Sequence, residues 1–278
     1  QTNGLPSVYG GTFTINGNAN EVFILTEGQD FGNISSTVQR TVFTGPITGP
    51  GGFTKIGSGE MTLVGSNDFT GAMNVNRPSD RAIGASGGVR LMDGGVLSGV
   101  SQIGLNRNGN LFVDNRTINL SNRINDAASL VSRGRSHVEF VGSASATSYE
   151  RIGAVTSLMG SLSIEFDKDN ATPQSQILEL ASLTRTPGSV INFTASDLRN
   201  GAFRLDGPTG IVVNLLDSGA SLTQVGSGGG DDTVSRSVIV GVFGGDGVDF
   251  QVDPTTRAPD RSDEFMTYDD GRLRTLNP

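Results

Sequence analysis

Apolar and polar residues alternate in short runs along most of the chain, and Gly, Asn, Asp or Ser interrupts each run. Runs of this kind cover 11–16, 21–26, 36–44, 52–56, 59–64 and 72–76 in the first part. They continue over 88–91, 95–97, 101–105, 110–113, 117–120 and 137–141, then over 161–166, 177–180, 189–193, 202–205 and 211–216. Alternation with period 2 lets a strand bury one face and solvate the other. About twenty strands are predicted in this way. The stretch 150–159 has some helical spacing, but Gly153 and the β-branched residues weigh against a helix there. The chain is expected to be all-β.

Short strands with evenly spaced breaks suit one all-β architecture better than another. Sandwiches and barrels built from hairpins need two-residue turns between strands long enough to pair with their sequence neighbours. Here glycines recur every 8 to 12 residues or so, as the corners of a β-solenoid require, where each coil pairs with the coils beside it. Aromatic residues are only 6% of the chain, in keeping with a narrow core of Val, Ile, Leu and Phe. A sandwich or jelly roll is the second choice.

The segment 49–76 is more specific than its surroundings and reads GPGGFTKIGSGEMTLVGSNDFTGAMNVN. It resembles the autotransporter-associated β-strand repeat, with Phe53, Lys55, Gly57, Gly59, Met61, Leu63, Gly65, Asn67, Phe69, Gly71 and Val75 on the positions of that pattern. Phe53, Glu60, Met61 and Phe69 are mild departures from it. The run 40–47 looks like the strand that leads into this repeat, and looser likenesses to the giant bacterial surface proteins that carry such repeats lie at 149–155, 180–194, 239–245 and 265–269. The resemblance implies a right-handed parallel β-helix, a passenger or stalk exported to the cell surface. On the residues alone, positions 53, 61, 63, 69 and 75 should point into a coil, with the glycines at 57, 59, 65 and 71 at corners or close backbone contacts.

Composition narrows the chemistry. Of 278 residues 40 are Gly, none is Cys or Trp, and one is His. Two Lys accompany 18 Arg, and the net charge is −8. No disulfide, thiolate metal site or thiol nucleophile can exist, and a His-rich zinc site is excluded. The acidic balance argues against a nucleic-acid surface. No apolar run reaches the length of about 18 residues that a membrane-spanning helix needs.

The candidate acid pairs Asp167 with Asp169, Asp231 with Asp232, and Asp269 with Asp270 are read as solvated loop acids. A polysaccharide-cleaving β-helix would need such carboxylates to converge. Lys55 is read as a solvated or ladder residue and His137 as a surface residue on the face opposite Val138. No catalytic, cofactor-binding or metal-ligating residue is assigned. Calcium is the ion that acids at 167–170, 228–232 and 244–249 would take, since the last segment fits the first six positions of a nonapeptide calcium repeat once. No ligand set is assigned to it, and no other cofactor is expected. The glycine-rich loops lack the P-loop pattern.

Residues 1–225 are taken as solenoid, including the repeat at 49–76. Residues 226–278 are taken as loop-rich terminal coils that continue it or join it to a further segment, with 226–237 and 253–264 as the most loop-like stretches. Gln1 implies that a signal was removed or that the chain is one segment of a longer one. The ending at 271–278 looks like an interrupted strand, and uncapped coils associate end to end. We therefore expect a structural segment of an extracellular or cell-surface fibre, sheath or stalk. Its expected partners are further copies or adjoining repeats, head to tail or side by side. An adhesin passenger binding glycans or proteins is the alternative.

Overall fold

The computed structural model describes residues 6–18, 22–26, 40–76, 87–168, 174–195, 210–226, 237–245, 264–269 and 272–275. The fold is all-β, with no helix among the described residues and one large, mostly parallel sheet. The pairing does not follow sequence neighbours. One parallel ladder runs through Ser7–Tyr9, Arg40–Phe43, Glu60–Leu63, Gly88–Leu91, Gly109–Asp114, Ser136–Gly142, Ser161–Lys168, Val190–Ala195 and Val242–Gly245. A second runs through Phe23–Leu25, Phe53–Ile56, Met73–Val75, Gln102–Asn106, Ser129–Arg133, Ser148–Met159, Gln176–Arg185 and Ile211–Leu215. The chain alternates between the two. Short strands lie between them in the first half, where Phe13–Thr14 pairs with Ile47–Thr48 and Ser66–Asn67 pairs with Val96–Leu97.

Parallel register stacks like on like. Met61, Val89, Leu111, Val138, Ile164 and Phe193 are successive partners on the first ladder, and all are buried. On the second, Phe53, Met73, Ile103, Leu130, Val155 and Leu183 form the matching buried column. These columns face one continuous core. Each apolar side chain thus lies against others of its own kind in the strands beside it, which is what period-2 alternation allows in a parallel stack. Phe53, Met61, Leu63, Phe69 and Val75 are completely buried, as the pattern of 49–76 predicts.

One predicted run is not a strand, and two strands form where no run was read. The run 117–120 forms no strand: Asn115 Oδ1 accepts from Leu120 N at 3.3 Å, and Ile118 is exposed. The stretch 150–159 lies within the twelve-residue strand Ser148–Met159, because pairing on both edges outweighs a weak helical spacing. Ser129–Arg133 is a strand with no clear alternation in its sequence, since three consecutive residues, Leu130 to Ser132, are buried. The predicted run 202–205 lies outside the described residues.

The C-terminal strands also depart from expectation. Glu264–Asp269 pairs antiparallel with Val242–Gly245 and with Arg272–Thr275, and Arg272 reaches Asn214 of the second ladder. Met266 and Leu273 are buried. The end expected to be uncapped is therefore closed by a reversed pair of strands. The first strands differ: among the described residues Ser7–Tyr9, Phe13–Thr14 and Phe23–Leu25 are paired along one edge only. Val8, Tyr9, Phe13, Phe23 and Leu25 are exposed there.

Candidate functional site

The outer face of the first ladder carries the densest set of charges. Arg40 and Arg90 both point their Nε atoms at Glu60 Oε1, at 3.2 and 3.1 Å. Arg90 Nη1 then reaches Asp114 Oδ2 at 3.1 Å, and Arg116 Nη2 reaches the same oxygen at 2.6 Å. The Arg90 guanidinium also lies over the Phe112 ring, 4.5 Å from its centroid, because Arg90 and Phe112 are register partners. Burial pushes the Asp114 carboxyl up, but hydrogen bonds from Arg116 and the nearby positive charges outweigh it and hold the group below its ordinary value. The stripe crosses four neighbouring strands of the ladder and alternates in sign. Alternation of this kind ties neighbouring strands together, while the exposed Arg40 and Arg116 ends contribute little, about 0–1 kcal/mol per pair.

On the next two strands of the ladder, the same face carries His137, Glu139 and Glu165. His137 Nε2 lies 2.9 Å from Glu165 Oε2. Glu139 and Glu165 are direct register partners. Burial raises the Glu139 carboxyl above its ordinary value; His137 opposes the rise and Glu165 adds to it. His137 is half-buried on the face opposite Val138, as alternation predicts. Among the described residues no group of three or more His, Asp or Glu is arranged to hold a metal ion.

Inside the fold, three polar residues do structural work that sequence patterns missed. Arg123 is completely buried. Its guanidinium donates to Asn115 Oδ1 at 2.6 Å, to the carbonyls of Asp93 at 3.0 Å and Gly95 at 2.7 Å, and to that of Ile118 at 2.6 Å. Glu150 accepts from the backbone N–H groups of Arg123 at 2.9 Å and Ile124 at 3.1 Å. Its side chain thereby satisfies amides of a segment that forms no strand. Burial drives the Glu150 carboxyl up to about 8 against these hydrogen bonds and the Arg123 charge. The signal for Glu150 was present, since alternation with Ile152 places it on the inner face. Asn67 is the third: its Oδ1 accepts from Ile47 N at 3.0 Å, and its Nδ2 donates to Gly65 O at 2.7 Å and Val96 O at 2.9 Å. One side chain thus joins three successive coils, a physical reason for Asn at this position of 49–76.

Lys55 needs correction. It is completely buried, at a position whose register partners are Ile24 and Val75, and its Nζ donates to Gly57 O at 2.6 Å. Burial lowers its pKa to about 8, opposed by the charge of Glu60. The unfolded chain, with Lys55 near 10.5, holds this proton more tightly than the folded one. Stability therefore rises as pH climbs from about 8 to about 10.5. Denaturation midpoints across that window should show the rise, and Lys55→Met should remove it; a variant that rises in parallel with the parent would refute it.

No predicted acid pair lies wholly within the described residues. Asp167 is described, whereas Asp169, Asp231, Asp232 and Asp270 lie outside them, as do Asp246 to Asp249 of the calcium-like segment. The loop-like stretches 226–237 and 253–264 fall largely outside as well. Among the described residues, no helix is long and apolar enough to cross a membrane. Compared with family models, curated proteins and solved structures, the chain matches none.

Proposed function

We propose that this chain is a structural segment, wound as a right-handed parallel β-solenoid, of an extracellular or cell-surface fibre, sheath or stalk. The observation that carries this reading is the pair of parallel ladders, nine and eight strands long, that the chain visits alternately. Eight steps at the spacing of neighbouring strands, about 4.8 Å, make a stack roughly 40 Å long. Its buried columns and charge-paired outer stripe serve rigidity, and nothing in them requires a small-molecule substrate. The likeness of 49–76 to the autotransporter-associated repeat supports placement at the cell surface. The one-sided edges of the first strands support association with a further coil, from another copy or an adjoining repeat.

Negative-stain imaging of the purified chain, with small-angle scattering in parallel, tests this. Elongated particles at least roughly 40 Å long, joining into longer rods or lateral bundles as concentration rises, are expected. Compact particles that never associate would overturn the fibre reading, and saturable binding to glycans or host proteins by single particles would favour an adhesin.

A further inference from the structure

A cavity of about 10 Å³ lies at the junction of the two ladders, lined by Asn115, Phe140, Glu150, Phe166, Gln176 and Leu178 among others. That is the lower bound of the space one water molecule occupies. Gln176 is almost completely buried, and its Oε1 has no hydrogen-bond partner among the described residues. The amide cannot be reversed to remove the difficulty. Its Nε2 donates to Asp167 O at 2.6 Å, and reversal would set oxygen against oxygen. Nor can it swing away freely, since it lies against Gly142, where a Cβ would come within 2.7 Å of Nε2. Glu150 also lines the cavity, and its two carboxyl oxygens accept from the backbone amides of Arg123 and Ile124. Gln176 Oε1 therefore borders a small polar space with its hydrogen bond unmade.

The geometry points to a structural hydration site: one water molecule in this cavity, donating one hydrogen bond to Gln176 Oε1 and forming another with the Glu150 carboxyl group. A water both donates and accepts, so it serves Gln176 Oε1 and the Glu150 carboxyl in either protonation state, whereas a cation would be repelled by the Arg123 guanidinium, whose charge acts on Glu150. Buried waters generally occupy polar spaces of this kind and complete otherwise unmet groups. The water would tie Gln176 of one coil to Glu150 of the preceding one, beside the irregular segment 115–125, where ladder pairing is thinnest.

A high-resolution crystal structure of the full chain, together with water-to-amide cross-relaxation in solution, is the test. A density peak within hydrogen-bond distance of both Gln176 Oε1 and Glu150, with a matching long-lived water signal at nearby amides, is expected. Gln176→Met should abolish both signals while leaving the neighbouring strands in place. A dry cavity in a structure that shows other buried waters would overturn the proposal, as would persistence of the signal in Gln176→Met. Should that variant fail to fold, the peak and the solution signal of the parent protein decide the matter alone.

Discussion

Replacing Arg123 with Met should destabilise the protein by about 3–5 kcal/mol, the range for stripping one partner from a buried charged network. Methionine keeps the unbranched stem but none of the donors. Four acceptors, on Asp93, Gly95, Asn115 and Ile118, would lose this donor, although Asn115 Oδ1 keeps Leu120 N. Each buried acceptor left unmet costs about 1–3 kcal/mol, less where water can enter from the loop. Arg123→Lys should fall between the parent and the methionine variant, since an ammonium keeps the charge but cannot fork toward acceptors on several segments. Urea denaturation read by circular dichroism would report these losses. A midpoint for Arg123→Met within about 0.5 kcal/mol of the parent, the range of an ordinary surface substitution, would show that the network contributes nothing.

A second large effect is expected at Gly52, where two coils touch backbone to backbone. A Cβ on Gly52 would lie 2.1 Å from Ala72 O and 2.6 Å from Ala72 N. One on Gly71 would lie 2.3 Å from Gly52 N. The atoms in the way are main-chain atoms held by ladder bonds, among them the bond from Phe53 N to Ala72 O at 3.0 Å. They cannot yield without separating Phe53–Ile56 from Met73–Val75. Overpacking a well-packed interior costs about 1–3 kcal/mol and more where backbone must shift, so Gly52→Ala should reach at least the upper end. Gly11→Ala is the control: nothing lies within 4 Å of its added Cβ, and the change should stay within about 0.5 kcal/mol. Equal melting temperatures for the two variants would contradict the close approach of the coils.

How much of this was legible beforehand depends on the kind of residue. Gly88–Leu91 appears as read, and most other runs differ from the observed strands by one or two residues at their ends. Their inner and outer faces could be read because period-2 alternation is local and each strand carries it whole. Polar residues on inner faces were harder. Lys55 occupies a core column between Ile24 and Val75, and its residue type spoke for solvent where its position spoke for burial. Arg123 could not have been found at all, because its partners at 93–95 and 115–118 come from segments that share no pattern with it.

Alternation and glycine spacing, then, were enough to determine an all-β chain with short strands, a buried face of Val, Ile, Leu and Phe, and no chemistry based on cysteine. The segment 49–76 further determined that Phe53, Met61, Leu63, Phe69 and Val75 face inward, though not that Lys55 does. The tertiary structure decided which strands pair, and the parallel pairing joins residues 20 to 51 positions apart. It also decided that the C-terminal strands reverse, and that Arg123, Glu150 and Asn67 serve backbone groups of distant segments. The division has a physical cause. A strand's two faces follow from its own residues, whereas its neighbours and the partners of its buried polar atoms are set by how successive coils stack.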